Sequence, residues 1–239
     1  MRTALLIDGG FFLRRHQAIA GRMSPEETAD ALHKMCTYHC LGKKSRDDEK
    51  RKQVMHLYRI FFYDCEPLQK KAHNPISGEL VDFAKSDSAR WRMAFHEALR
   101  KKRKVALRLG YLNERSAAWS PTPDALKLIL TKRLCVEDLR ASDVQYKATQ
   151  KGVDMRVGID IASLAFKRQV DQIVLVAGDS DFVPAAKLAR REGIDFVLDP
   201  MWASIRPDLH EHIDGLRSVI RRPDTPSTKS SSSQSAPES

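Results

Sequence analysis

No stretch of this chain is apolar for long enough to cross a bilayer, so no membrane partner is expected. Met1-Arg2-Thr3 runs straight into a four-residue apolar segment. That segment is far too short for a signal-peptide core, and the reading is a cytoplasmic protein. Cysteine is scarce. Cys36, Cys40, Cys65 and Cys135 are expected as reduced thiols in a chain without an export signal. His33, Cys36, His39 and Cys40 fall at helical spacing, yet on one short segment, whereas structural zinc draws ligands from two separated pairs. They read as a helix with small half-buried thiols and solvent-facing histidines. Glycine-rich signatures are missing too. No dinucleotide fingerprint or P-loop occurs, since Gly9-Gly10 lacks the required spacing. There is no internal repeat.

What is present fits one large α/β domain. The chain has 239 residues, 42% hydrophobic and 30% charged, a balance typical of globular domains with a sizeable core. Net charge is +10, which favours polyanionic partners. Arg100-Lys101-Lys102-Arg103-Lys104 is a run of five basic residues, and Lys43-Lys44-Ser45-Arg46 with Lys50-Arg51-Lys52 forms another cluster. The run of five reads equally as a phosphate-contacting patch or a solvated helix end.

Apolar runs over 3–8, 57–64, 105–111, 172–177 and 194–198 read as strands, the first buried on both faces. Ser24-Pro25-Glu26-Glu27 is a capping-box helix start running to about Leu41. Further helices are expected after Gly10, over 87–103, from 124 to about 138, from 154 to about 166, over 182–192 and over about 208–220. Residues 43–52, 65–80 and 113–123 read as connections, and 143–148 as a short edge strand. After Arg222 the composition turns to Pro, Thr, Ser and Gln, so 223–239 is expected to be a disordered tail. The domain thus spans 1–222, with about 111–150 as an insertion. Alternating strands and helices predict a mostly parallel sheet with helices on both faces.

The chemistry concentrates in aspartates. Gly178-Asp179-Ser180-Asp181-Phe182 follows the strand at 172–177, and Asp8 ends the first strand. Asp154 sits at a helix start after Lys151-Gly152-Val153. In a parallel sheet the carboxyl ends of the strands share one edge, where ligands bind. Crowded carboxylates raise one another's pKa unless a cation offsets the repulsion. Mg²⁺ does so with one or two carboxylates plus waters and substrate phosphates. Two ions roughly 3.5–4 Å apart can serve phosphodiester hydrolysis. Each acid also has a plain structural role open to it: Asp181, Ser180 or Asp154 as a helix cap, Asp8 as a turn residue. Capping explains one acid per helix; it does not explain both Asp179 and Asp181. Asp160, inside the helix after Asp154, reads equally as an extra ligand, a supporting acid or an ordinary helix acid.

Leu5-Leu6-Ile7-Asp8-Gly9, Lys151-Gly152-Val153-Asp154, Asp160 and Val176-Ala177-Gly178-Asp179-Ser180-Asp181-Phe182-Val183-Pro184 together resemble the NYN (LabA-like) family of PIN-like nucleases. The resemblance covers about residues 3–200. It implies a PIN-like Rossmannoid three-layer α/β fold, an acidic pocket for Mg²⁺ or Mn²⁺, and hydrolysis of RNA phosphodiesters, single-stranded or structured. By position Asp8, Asp154, Asp179 and Asp181 match the family's catalytic and metal-binding acids, and Asp160 matches a recurring one. Many relatives carry an asparagine two residues after the first motif's glycine; this chain reads Gly9-Gly10-Phe11-Phe12 and has no amide there. Lys151 and Arg100 to Lys104 are candidate phosphate contacts, each with solvation as the alternative. Phe11 and Phe12 read as core before base-stacking. The alternative function is an RNA-binding or regulatory module with little turnover. A haloacid dehalogenase-type phosphatase is set aside, because it wants an aspartate where Gly10 stands. The sequence leaves a homodimer open.

Overall fold

The computed structural model describes residues 1–41 and 55–222. The basic cluster at 43–52 and the expected tail at 223–239 lie outside the described residues. In chain order the elements are β1 (Arg2–Asp8), α1 (Gly9–Ala20), α2 (Pro25–Cys40), β2 (His56–Cys65), β3 (Lys71–His73), β4 (Leu80–Asp82), α3 (Asp87–Arg100), β5 (Val105–Pro121), α4 (Pro123–Leu130), β6 (Val144–Lys151), α5 (Val153–Phe166), β7 (Gln172–Val176), α6 (Val183–Arg191), β8 (Asp195–Asp199), α7 (Pro207–Glu211) and β9 (Gly215–Leu216).

Alternation along the central strands builds two apolar layers. Leu5 and Ile7 of β1, Ile60 and Phe62 of β2, and Val174 and Val176 of β7 point to one face. There they bury Phe12 of α1, Leu32 and Met35 of α2, and Phe95 and Leu99 of α3. Leu6, Phe61, Tyr63, Ile173 and Leu175 point to the other face, against Val157, Ile161 and Leu164 of α5 and Ala186 and Ala189 of α6. This is the three-layer α/β arrangement expected of strands that are apolar on both sides. The capping box of α2 is present as the sequence implied: Ser24 accepts from the Glu27 amide and Glu27 from the Ser24 amide.

Strand order is β6-β5-β2-β1-β7-β8-β9. All neighbours are parallel except β5 and β6. From β1 the chain moves outward through β2 to β5; it re-enters at β7, on the other side of β1, and moves to β8. The order therefore reverses between β1 and β7. The segment after β1 departs as α1 to one face, and the segment after β7 departs as α6 to the other. A crevice opens between them at the carboxyl edge, the usual ligand position in doubly wound sheets.

Five expectations need correction. The helix expected from 124 to about 138 ends at Leu130 as α4, where Lys132 turns the chain with a left-handed φ of 57°. β5 does not stop near Tyr111 but continues to Pro121, pairing antiparallel with β6 across an irregularity between Asn113 and Ala118. The polar residues 113–116 hide this strand, whose partner rather than its composition keeps it extended. The expected loop at 65–80 contains the hairpin β3–β4, whose turn is held by the Asn74 side chain accepting from Ile76 and Ser77 amides. The helix expected over 208–220 is only the short α7. Asp214, tied to Arg190 at 2.8 Å and to the Phe196 amide at 2.9 Å, turns the chain into the edge strand β9. Finally, His39 is not solvent-facing: it is buried, with Nε2 2.8 Å from Asp199 Oδ2.

Candidate active site

Asp8 is the last residue of β1 and the N-cap of α1, its Oδ1 accepting from the Phe11 amide at 3.0 Å. The cap is forced by sequence. Gly9-Gly10 lets the helix begin at once, and a short acid at the preceding position satisfies an otherwise orphaned amide. Asp179 occupies the matching place after β7, with Oδ1 accepting from the Asp181 amide at 3.1 Å. The β1–β7 register sets Ile7 beside Val176, so the two carboxylate-bearing turns leave adjacent strands at the same level.

Asp154 reaches this edge by another route. β6 runs antiparallel to β5 and ends with Lys151 opposite Tyr111, just beyond the level at which Asp8 pairs with Tyr63 and Tyr63 with Arg108. Gly152, at φ 77°, turns the chain, and α5 starts with Asp154 in its first turn. Burial and the nearby carboxylates of Asp179 and Asp181 raise the Asp154 carboxyl above its ordinary value. Burial also raises Asp8; the Phe11 amide and the Arg14 guanidinium pull it back, and Asp154 pushes it up again. Asp154 thus acts on Asp8 and is itself acted on by the Asp179/Asp181 pair, standing electrostatically between them.

Phe11 locks the two motifs together. A Cβ on Gly178 would lie 2.6 Å from Phe11 Cε2, so the ring lies directly against the turn that carries Asp179. Phe11 is a packing element, as is Phe12, which is buried.

Other candidates are placed differently. Asp160 lies six residues beyond Asp154, about 9 Å along the helix at 1.5 Å per residue. Its Oδ2 accepts from the Tyr63 hydroxyl at 2.8 Å and from Arg108 Nε at 3.1 Å. Lys151 is exposed at the end of β6, three residues before Asp154. The run Arg100 to Lys104 connects α3 to the start of β5, at the amino edge of the sheet, opposite the acids. There Arg100 pairs with Glu97, Lys102 with Asp30, and Lys104 donates to the Leu57 carbonyl. The structure therefore sets Asp8, Asp154, Asp179 and Asp181 along one edge of the sheet and the basic run along the other.

The donor set is hard oxygen, the chemistry that suits Mg²⁺ or Mn²⁺. Among the described residues no three His, Cys, Asp or Glu side chains stand close enough to share one ion. The arrangement fits the mode in which one or two carboxylates hold a cation and waters or substrate complete the shell; it is not a closed cage.

A family model described as the NYN domain matches residues 79–206, which include Asp154, Asp160, Asp179 and Asp181 but not Asp8. The solved structure of a protein of unknown function from Vibrio parahaemolyticus aligns over 90% of this chain and 90% of its own, with 15% identity and a TM-score of 0.44. No curated protein matches the sequence.

Proposed function

The chain belongs to the NYN domain family, a PIN-like nuclease fold, and from that premise we propose that it is a Mg²⁺- or Mn²⁺-dependent ribonuclease hydrolysing RNA phosphodiesters at the β1/β7 crevice. The observation that carries this reading is electrostatic. Asp8 and Asp154 are both raised by burial and by neighbouring carboxylates at the sheet's switch point. Four converging acids cost stability unless something positive joins them.

One or two of Asp154, Asp179 and Asp181 would hold the cation, waters and substrate completing its shell, with Asp8 on the opposite bank. When bound, it would supply Lewis-acid activation of the attacking water and neutralise charge on the phosphate. The chain's own contribution is positional. Asp8 and Asp179 are fixed through Oδ1 by their own turns, so neither carboxylate has to be ordered when substrate arrives. Arg14, which draws down the Asp8 carboxyl, would meet a non-bridging phosphate oxygen.

The test is incubation of labelled single-stranded RNA and DNA with Mn²⁺ or with EDTA, comparing wild type with Asp179→Asn. Mn²⁺-dependent RNA cleavage that Asp179→Asn abolishes, with RNA binding retained, supports the assignment. Cleavage unchanged by the substitution overturns it. A second reading, an RNA-binding module with little turnover, draws on the lack of a three-ligand cage among the described residues; it is favoured if binding is tight and no condition yields product.

A further inference from the structure

Next to the acids lies a hollow of about 540 Å³ between α1, the α1–α2 turn, the first half of α3 and β6. Its size suits a nucleotide. Its lining includes Arg14, Arg22 and Arg92 and, among the described residues, no carboxylate. Trp91 forms part of the wall. Its inner face is stacked on Phe95 with centroids 5.3 Å apart at 17°, and its Nε1 donates to the Met23 carbonyl at 3.0 Å. The indole is thus held rigid at the edge of a cationic cavity. Gly10 joins this hollow to the acids: a Cβ placed there would stand 3.5 Å from Asp8 Oδ1 and 3.6 Å from Arg14 Nη1.

The hollow does not end at α3. A second one of about 290 Å³ shares Ser88, Arg92, Ala148 and Gln150 with it, and continues past Tyr146 and Phe83 to Cys65 and to Glu66, a carboxylate at the end away from Asp8. Alternation along β6 is the cause. Tyr146, Ala148 and Gln150 lie on one face of the strand and line the second hollow, while Lys147 and Thr149 lie on the other. Arg92 is anchored at the junction by a 2.6 Å bond to the buried Asp64. Together they form a track that is cationic near Asp8, with an aromatic wall at each end. Basic side chains along a groove with aromatic platforms are what a single strand needs, because every base offers a π-face and every link a phosphate.

We propose that these joined hollows bind the single-stranded RNA that flanks the cleaved bond, one nucleotide seated against Trp91 with Arg14 and Arg22 on its phosphates, and the strand continuing past Ser88 and Gln150. This rests on the reading that the acidic crevice cleaves RNA. It moves the binding surface from the Arg100–Lys104 run, at the far edge of the sheet, to residues of α1, α3 and β6.

The experiment measures fluorescence anisotropy of a short labelled single-stranded RNA with the full chain in EDTA, across a salt series. Arg22→Gln, on the exposed α1–α2 turn, is expected to weaken binding about tenfold and to lower the salt slope by about one. Arg14→Gln together with Arg22→Gln weakens it further, while Lys101→Gln with Arg103→Gln stays within about twofold. Photocrosslinking of 4-thiouridine RNA gives a readout that folding defects cannot mimic, with adducts expected at Trp91 or Met23. Wild-type affinity in the Arg14/Arg22 variant, adducts confined to residues 100–104, or tighter binding of single-stranded DNA than of RNA would overturn the proposal. If the protein cleaves RNA yet binds it through other residues, only the track is wrong. If it neither binds nor cleaves RNA, the nuclease reading falls with it.

Discussion

Phe11 and Gly178 show how one contact can tie two distant motifs. The ring sits where a Cβ on residue 178 would be only 2.6 Å away, so Gly178→Ala must displace either the ring or the Asp179 turn. Overpacking of this kind costs about 1–3 kcal/mol. A urea melt of Gly178→Ala should show a loss in that range, and the loss should shrink when Phe11→Ala is present, because the clash has gone. An equal penalty in both backgrounds would show that the cost lies elsewhere. His16 carries a second residue-scale expectation. It is buried beside Phe12, ring centroids 5.3 Å apart, and burial holds its pKa below the ordinary 6.5. The folded state then binds fewer protons than the unfolded state as pH falls below 6.5, so His16 costs stability on acidification and nothing above that range. Asp8 and Asp154 carry raised values and push the other way. The informative quantity is therefore the difference between wild type and His16→Gln: melts at pH 7.5 and pH 5 should show wild type losing more than the variant.

At the scale of elements, the end of β2 is joined to α3 by a buried cluster. Asp64, almost fully buried, accepts from Arg92 Nη1 at 2.6 Å, lies 2.8 Å from His96 Nε2, and takes the Cys65 amide at 2.8 Å. Asp64→Ala would leave an arginine and a buried histidine without their partner, a loss of about 3–5 kcal/mol. Asp64→Asn, which still offers an acceptor, should lose less, and a denaturation series over the two variants checks the order. Asp64 had no sequence signal, since an acid at a strand end looks alike whether it binds a ligand or a helix. The contrast with Asp8 and Asp179 is instructive. Those two are legible because each follows an apolar run buried on both faces and precedes a helix start, a pattern that belongs to the carboxyl edge of a parallel sheet. β1, β2, β7 and β8 were legible for the same reason. The far half of β5 was not, because residues 113–116 are polar and only pairing with β6 extends them. β9 was not, because two residues carry no period. The hollows beside Asp8 were invisible for a related cause: Arg14, Arg22, Trp91, Arg92 and Gln150 come from three helices or turns and an unpredicted strand pairing, and no spacing in the chain announces their meeting.

Across the whole molecule, the acids and the longest described basic run stand at opposite edges of the sheet. Carboxylates meet at the carboxyl edge, while the densest described basic run stands at the amino edge and is partly neutralised by Glu97 and Asp30. A net charge of +10 therefore brings polyanions toward the protein without repairing the repulsion at the crevice. That repulsion is stored in the folded state, because Asp8 and Asp154 are brought near other acids only on folding. Cations that bind the folded crevice should release it. Stabilisation by a ligand present at a hundred times its Kd is about 2.7 kcal/mol, and for a chain of this length 1 kcal/mol moves Tm by about 2–4 °C. Saturating Mn²⁺ should then raise Tm by about 5–10 °C over an EDTA baseline. Asp179→Asn changes both ends of that comparison: it removes one repelling charge, so the metal-free Tm should rise, and it removes a ligand, so the gain from Mn²⁺ should shrink. Thermal melts of the two proteins with and without metal read both effects at once. A gain from Mn²⁺ that Asp179→Asn leaves intact would place the cation away from the crevice and deprive the acids of their joint role.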